Sequence, residues 1–195
     1  MIYFTSDTHF GHANIIPYCK RPWETVAEMD EALIAHWNAI VEPGDTVYHL
    51  GDVAMKGAEY TRSCVERLNG KRVLVRGNHD PNVAKMLNRG FHEVYDRVCS
   101  TITRNAEGTK NVLVEMNHIP VNNELDSRGY VRQPTLPLYR DLIEKGELLY
   151  LPLCGHVHDL WKVKDGCVNV GVDVWHYQPI SIMELLIFAK EQGIL

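Results

Sequence analysis

"RVLVRGNHD", Arg72 to Asp80, joins two kinds of residue. Val73, Leu74 and Val75 have the apolar, branched character of a buried strand. Gly77 breaks that run, and Asn78, His79 and Asp80 follow directly. The same sequence of events occurs upstream. "IYFTS", Ile2 to Ser6, reads as a strand that runs into Asp7 and His9, and "TVYHL", Thr46 to Leu50, as one that runs into Gly51 and Asp52. Strand ends in an α/β fold converge on one edge, where sites are built.

Between these strands the chain reads as helical. "TVAE", Thr25 to Glu28, has capping-box spacing, and Val26, Met29, Leu33, Trp37 and Ile40 then recur every three or four residues. Tyr60, Cys64, Val65 and Leu68 give a second helix before Asn69 and Gly70, and Pro81 suits the first turn of a short third one.

The second half is richer in strands. Val94–Arg104 and Asn111–His118 have strand composition around a hairpin turn at Glu107–Lys110. Residues 119–135 lack a period and read as a long loop, and Leu136–Ile143 as a helix. Leu148–Leu153 is a strand with its proline at an irregular position. Ile180–Gln192 is either a strand running into a helix or one helix from Pro179, and the single helix is the preferred reading. Helix-alternating strands followed by hairpins predict a layered α/β fold with at least one partly antiparallel sheet. Neither a repeat nor a linker divides the chain, which predicts one domain over residues 1–195.

Composition bounds the function. The 195 residues are 45% hydrophobic and carry a net charge of -5, with no basic run longer than two residues, so an extended nucleic-acid surface is not expected. Five cysteines without a CxxC pair suit reduced thiols in a cytoplasmic setting and argue against a thiolate metal site. The chain opens without the pattern of a secretory leader, and no apolar run reaches membrane-spanning length.

The histidines are the informative residues. His118 ends one predicted strand, and "GHVHD", Gly155–Asp159, follows another. Imidazoles and carboxylates gathered at strand ends suit borderline divalent ions such as Mn, Fe, Zn or Ni. In an extended segment residues i and i+2 point the same way, so Asp7 and His9 can share one ion, and His156 and His158 can approach one pair of ions. Each residue also has a plainer reading. Asp7, Asp52 and Asn78 are ordinary turn formers, Asp80 can cap the helix at Pro81, and His49 suits a packed core position. His12 reads equally as a pocket residue or a loop histidine, Trp37 as core, and Trp161 and Trp175 as rim candidates.

Taken in order, "DTH" at Asp7–His9, "GD" at Gly51–Asp52, "GNHD" at Gly77–Asp80, His118, and "GHVH" at Gly155–His158 resemble the signature of the calcineurin-like metallophosphoesterases. "DTHFGHANI" is similar to small, single-domain bacterial and phage members. The resemblance implies a four-layer α-β-β-α sandwich of two mixed sheets flanked by helices. It also implies two divalent ions, with Mn foremost: Asp7, His9 and His158 as ligands of one, Asn78, His118 and His156 of the other, and Asp52 as the bridge. The implied chemistry is attack on phosphorus by a hydroxide held between the ions, with His79, held by Asp80, assisting the leaving group.

The expected substrate is a small phosphate ester, a phosphodiester or nucleotide before a monoester or a phosphoprotein. A non-catalytic scaffold of the same fold is the contrasting reading, and it has no need of His79. After His118, Arg128, Tyr130 and Arg132 are candidate substrate contacts, because guanidinium forks match phosphate oxygens and an aromatic ring can stack on a base.

Overall fold

A computed structural model describes residues 1–104, 108, 110–120 and 137–195, with side chains at all of these except 102–104, 137 and 138. The first half forms β1 (Ile2–Thr5), α1 (Ile15–Tyr18), α2 (Val26–Ile40), β2 (Thr46–His49), α3 (Ala58–Val65), β3 (Lys71–Val75), α4 (Val83–Leu87) and β4 (Glu93–Tyr95). The second half forms β5 (Val98–Arg104), β6 (Asn111–Met116), α5 (Pro137–Glu144), β7 (Leu148–Cys154), β8 (Val163–Lys164), β9 (Cys167–Asn169), a 3-10 turn (Val172–Val174), β10 (Ile180–Ser181) and α6 (Ile182–Glu191).

The strands make two five-stranded mixed sheets, ordered β10-β1-β2-β3-β4 and β5-β6-β7-β9-β8, with helices against them. In the first sheet β1 to β4 are parallel and β10 is antiparallel to β1. Thr5 pairs with His49, and His49 with Leu74, so three strands end level and their following loops share one edge.

Side-chain alternation along these strands feeds two cores. Val47 and Leu74 face the helices and pack with Met29, Leu33 and Trp37 of α2. Phe4 and Val75 face the second sheet and pack with Val112, Val114, Met116, Leu151 and Leu153. Burying a side chain such as Met29 or Leu33 contributes ~1.5–3 kcal/mol relative to exposure. The α2 start has its capping box: Thr25 Oγ1 accepts from the Glu28 N–H, and the Glu28 carboxylate accepts from the Thr25 N–H.

Several expectations are corrected. Val94–Arg104 is not one strand: β4 completes the first sheet, and the chain changes sheet at Asp96–Arg97 before β5. Arg76 pairs with Asp96, and Arg97 Nη2 lies 2.7 Å from the Glu115 carboxylate, so this crossing is pinned by charge. The preferred single helix from Pro179 is instead β10 running into α6. Phe4 pairs with Ile180, and Ser181 then opens the helix in a capping box with Glu184. Pro152 lies in regular register opposite Glu115. It is tolerated because, among the described residues, β9 pairs with β7 only at Leu153 and Cys154, so one side of the strand has no ladder to break there. Asn82, not Asp80, caps α4, by accepting from the Lys85 N–H. Among the described residues no helix is long and apolar enough to cross a membrane.

Candidate metal centre

The loops that follow β1, β2, β3, β6 and β7 meet at the level edge of the sheets. Those after β1 and β2 run side by side. The Asp7 N–H donates to Gly51 O at 3.0 Å, and the His9 N–H to Asp52 O at 3.1 Å. Gly51 has φ +96, and a Cβ there would stand 2.3 Å from the Gly77 nitrogen, so the loops after β2 and β3 can touch only through glycine. At Gly155 a Cβ would meet Ser6 Oγ at 2.0 Å and Asp7 Oδ2 at 2.5 Å. The His156 N–H instead donates to Asp7 Oδ2 at 2.9 Å, which ties the loop after β7 to that after β1.

Two groups of three side chains result. Asp7, His9 and His158 bring one ligand atom each within 4.8 Å of one another, and so do Asp52, His118 and His156. Asp52 stands between them. Its Oδ2 is 3.2 Å from His118 Nε2 and 3.8 Å from His9 Nε2. Its Oδ1 accepts from the His79 N–H at 2.9 Å. Asn78 Oδ1 lies 3.0 Å from both His118 Nε2 and His156 Nδ1, so it joins the second group. A third cluster, Cys19, His158 and Asp173, lies behind the first.

The backbone is strained at this place. Asp7 (φ 58), His9 (φ 51), Asp52 (φ 56), His156 (φ 72) and His158 (φ 49) are all left-handed. Such residues cost ~1–3 kcal/mol each and persist where the surrounding structure over-determines them. The extended i, i+2 geometry expected for Asp7–His9 and His156–His158 is therefore corrected. Left-handed turns bring Asp7 Oδ1 to 3.8 Å from His9 Nε2, and they send His156 and His158 to different groups.

Charge completes the picture. Burial pushes His9 down to about 2 and His156 to about 4, which leaves both imidazoles neutral with lone pairs to give. Burial also opposes protonation of His118 and His158. The hydrogen bond and charge of Asp52 outweigh it at His118 and raise it to about 9, and the bond to Asp173 raises His158 to about 10. Burial works against the Asp52 carboxylate, yet His118 holds its pKa well below the usual range. Among the described residues, Asp7 Oδ1 and both ring nitrogens of His9 are buried without a hydrogen-bond partner. The orphaned lone pairs of Asp7 Oδ1 and of the unprotonated His9 nitrogen fit a cation better than any neutral neighbour. The two groups thus have the capacity to bind divalent metal.

The other expected residues are distributed around these groups. His79 is 46% exposed at its side chain and lies over the centre, with Nε2 3.9 Å from Asp52 Oδ2 and its ring centroid 5.9 Å from that of His9. Asp80 does not hold the His79 ring. Its carboxylate accepts from the N–H groups of Asp52, Val53 and Gly77, so it fixes the loop that carries His79. His12 belongs to neither group; its ring centroid is 5.3 Å from that of His9 and its N–H donates to His9 O. Arg128, Tyr130 and Arg132 lie outside the described residues. His49 is buried in the core, with Nε2 2.9 Å from Thr8 Oγ1. Trp175 packs on Phe188 and bonds Asn169 O rather than framing a rim.

Arg21, Asn169 and Asp173 also belong to this site, outside the motif residues that the sequence singles out. Arg21 and Asp173 form a buried ion pair at 2.8 Å across 152 positions, beyond any spacing rule. A carboxylate in the apolar run "VGVDVW" was the available signal.

The comparisons with known proteins agree with this geometry. The chain is 52% identical over 81 residues to an uncharacterized protein of Methanocaldococcus jannaschii, a match covering 40% of this chain and 46% of that one. It is 28% identical to the gene 66 protein of Mycobacterium phage L5, over 89% of this chain and 86% of the phage protein. A crystal structure of a protein of unknown function from Aquifex aeolicus superposes with a TM-score of 0.65 at 29% identity, covering 96% and 98% of the two chains. The model of the calcineurin-like phosphoesterases matches residues 1–160, the span that supplies every strand-end cluster above, and the chain belongs to that family.

Proposed function

We propose that the chain is a phosphoesterase that works with two divalent ions, manganese being the first to test, on a small phosphate ester, a phosphodiester or nucleotide. The observation that carries this reading is the placing of Asp52 between two groups of ligand atoms, each within 4.8 Å. Asp7, His9 and His158 would hold one ion, and Asn78, His118 and His156 the other, with Asp52 shared. When bound, such ions supply Lewis-acid activation of water and neutralise charge on the phosphoryl group.

The protein's own work is positioning and proton delivery. Burial keeps His9 and His156 unprotonated as ligands. The His79 N–H grips Asp52 Oδ1, and Asp80 accepts from the Gly77 and Asp52 N–H groups, so the loop that carries His79 is tied to the loop after β2 and the exposed His79 ring stands over the centre. From there His79 would give a proton to the departing oxygen or donate to a phosphoryl oxygen. A structural zinc site is closed by four protein ligands; seven oxygen and nitrogen donors beside an exposed histidine suit open ions instead.

The test is metal analysis of the purified protein combined with turnover of a chromogenic phosphodiester, a chromogenic monoester and a panel of nucleotides after manganese loading. Two ions per chain and diester or nucleotide hydrolysis are expected. A fully loaded protein that hydrolyses none of these would refute the catalytic reading, and selective monoester turnover would correct the substrate class.

A further inference from the structure

The segment from Asn169 to Asp173 grips His158 at two points. Asn169, fully buried, donates through Nδ2 to His158 O at 2.8 Å and to Trp161 O at 2.9 Å, while its Oδ1 accepts from the Gly171 N–H. Two residues on, Asp173 Oδ2 lies 3.3 Å from His158 Nδ1, with the Asp173 side chain 1% exposed. Arg21 closes the arrangement from the opposite side. Its Nε and Nη2 donate to the two Asp173 oxygens at 2.8 and 3.0 Å, and its Nη1 and Nη2 donate to Thr8 O and Asp7 O at 2.9 and 2.7 Å. One guanidinium therefore joins the loop that carries Asp7 and His9 to the carboxylate that faces His158.

This geometry bears on which nitrogen of His158 meets an ion. A carboxylate next to Nδ1 makes that nitrogen the donor, and the lone pair is then on Nε2. Two imidazoles that approach a common centre tolerate little ring rotation, and the His9 and His158 centroids are 5.0 Å apart. The cluster of Cys19, His158 and Asp173 is a poor ion site by the same evidence, because both Asp173 oxygens already accept from Arg21, whose charge would repel a cation.

We propose that Asp173, charge-balanced by Arg21, is a positioning residue that locks His158 with Nδ1 as donor and so sets the affinity of the site built from Asp7, His9 and His158. The inference rests on the two-ion reading above. Partners of this kind behind a ligating histidine are worth ~10–100-fold in metal affinity.

Zinc titration against a competing chelator tests it on wild type, Asp173→Ala and Cys19→Ala, with 15N-histidine spectra of the zinc-loaded wild type recorded alongside. Asp173→Ala should weaken one ion by ~10–100-fold and leave the other at wild-type affinity. The wild-type spectra should show His158 protonated at Nδ1, a readout that no general loss of packing would mimic and that needs no folded variant. Wild-type affinity for both ions in Asp173→Ala, or a His158 protonated at Nε2, would overturn the proposal while leaving the two-ion reading intact. Loss of an ion in Cys19→Ala would overturn it in favour of a thiolate site. Fewer than two ions in wild type would overturn the two-ion reading, and this proposal with it.

Discussion

Replacing Asp52 with asparagine tests the centre at its shared point. The two side chains have nearly the same size, so the change removes charge and little else. Asp52 Oδ2 lies 3.2 Å from His118 Nε2 and 3.8 Å from His9 Nε2, so one carboxylate serves both groups. Changes behind a ligand already cost ~10–100-fold in affinity, so loss of a shared ligand charge should exceed ~100-fold for at least one ion. Turnover should vanish with it.

The metal-free protein supplies an independent magnitude. Asp52 is the main cause that raises His118 from 6.5 to about 9 against the opposing effect of burial. At 1.36 kcal/mol per unit this is ~3 kcal/mol in favour of the folded, protonated pair. His118 binds its proton more tightly folded than unfolded. The stabilisation is therefore complete below the unfolded value of 6.5 and is lost as pH rises through about 9. Denaturant unfolding in the presence of chelator should show Asp52→Asn less stable than wild type by ~3 kcal/mol near pH 6, with the gap closing above about pH 9. Two tightly held ions with full activity would refute the bridging assignment. A stability gap independent of pH would refute the Asp52–His118 pair as its source.

Four further outcomes are expected. His79→Ala should keep both ions and lower turnover by ~10²–10⁴-fold, most for poor leaving groups; an equal loss on nitrophenyl and alkyl esters would point to charge stabilisation instead. Metal uptake near neutral pH should release at least two protons per chain, because His118 and His158, raised to about 9 and about 10, must both give one up and burial favours a proton on Asp7 as well; calorimetry in buffers of different ionisation enthalpy reads this directly. His12→Ala should raise KM with both ions in place, given a ring 5.3 Å from that of His9, and unchanged kinetics with a lowered Tm would make it a loop residue only. Separate alanine replacements of Arg128 and Arg132 should lower kcat/KM for a nucleotide more than for a small chromogenic diester, and equal slight changes on both would remove the case for nucleotide recognition.

Most of the candidate centre is legible because each candidate ligand lies close to a strand end, and strand composition is a local signal. Asp7, Asp52 and Asn78 follow runs of apolar residues closely, and the register that sets Thr5, His49 and Leu74 side by side brings them together. Legibility stops where contacts become non-local. Nothing near Arg21 in the sequence announces Asp173, and the two meet only because the Ser6–Gly171 bridge draws the turn after β9 beside β1. The break between β4 and β5 was hidden for a related reason. Both pieces have strand composition, and only their partners, β3 and β6, assign them to different sheets. At the C-terminus Ile180 and Ser181 are too few to show a period, so the longer helical pattern behind them dominated the reading.

The charges in the centre explain why these distant residues belong to one device. Each group holds one carboxylate, one imidazole that burial keeps neutral and one that a carboxylate keeps protonated. His9 and His158 play the imidazole parts beside Asp7, and His156 and His118 play them beside Asp52. Without ions, buried Asp52 and Asp173 face protonated His118, protonated His158 and Arg21, so the cost of burying their charge is met by pairing, whereas burial raises the pKa of Asp7 and favours its neutral form. Divalent ions bound at both groups would displace those two histidine protons. Arg21 cannot be displaced, since its charge is permanent and its donors are committed to Asp173 and to the Asp7 and Thr8 carbonyls. On the two-ion reading Asp173 would stay paired when ions bind, whereas Asp52 would exchange a protonated histidine for a metal and Asp7 would gain the cation that its buried carboxylate lacks. That asymmetry separates residues that can ligate from the residue that can only orient, and it does so by the permanence of the neighbouring charge rather than by distance alone.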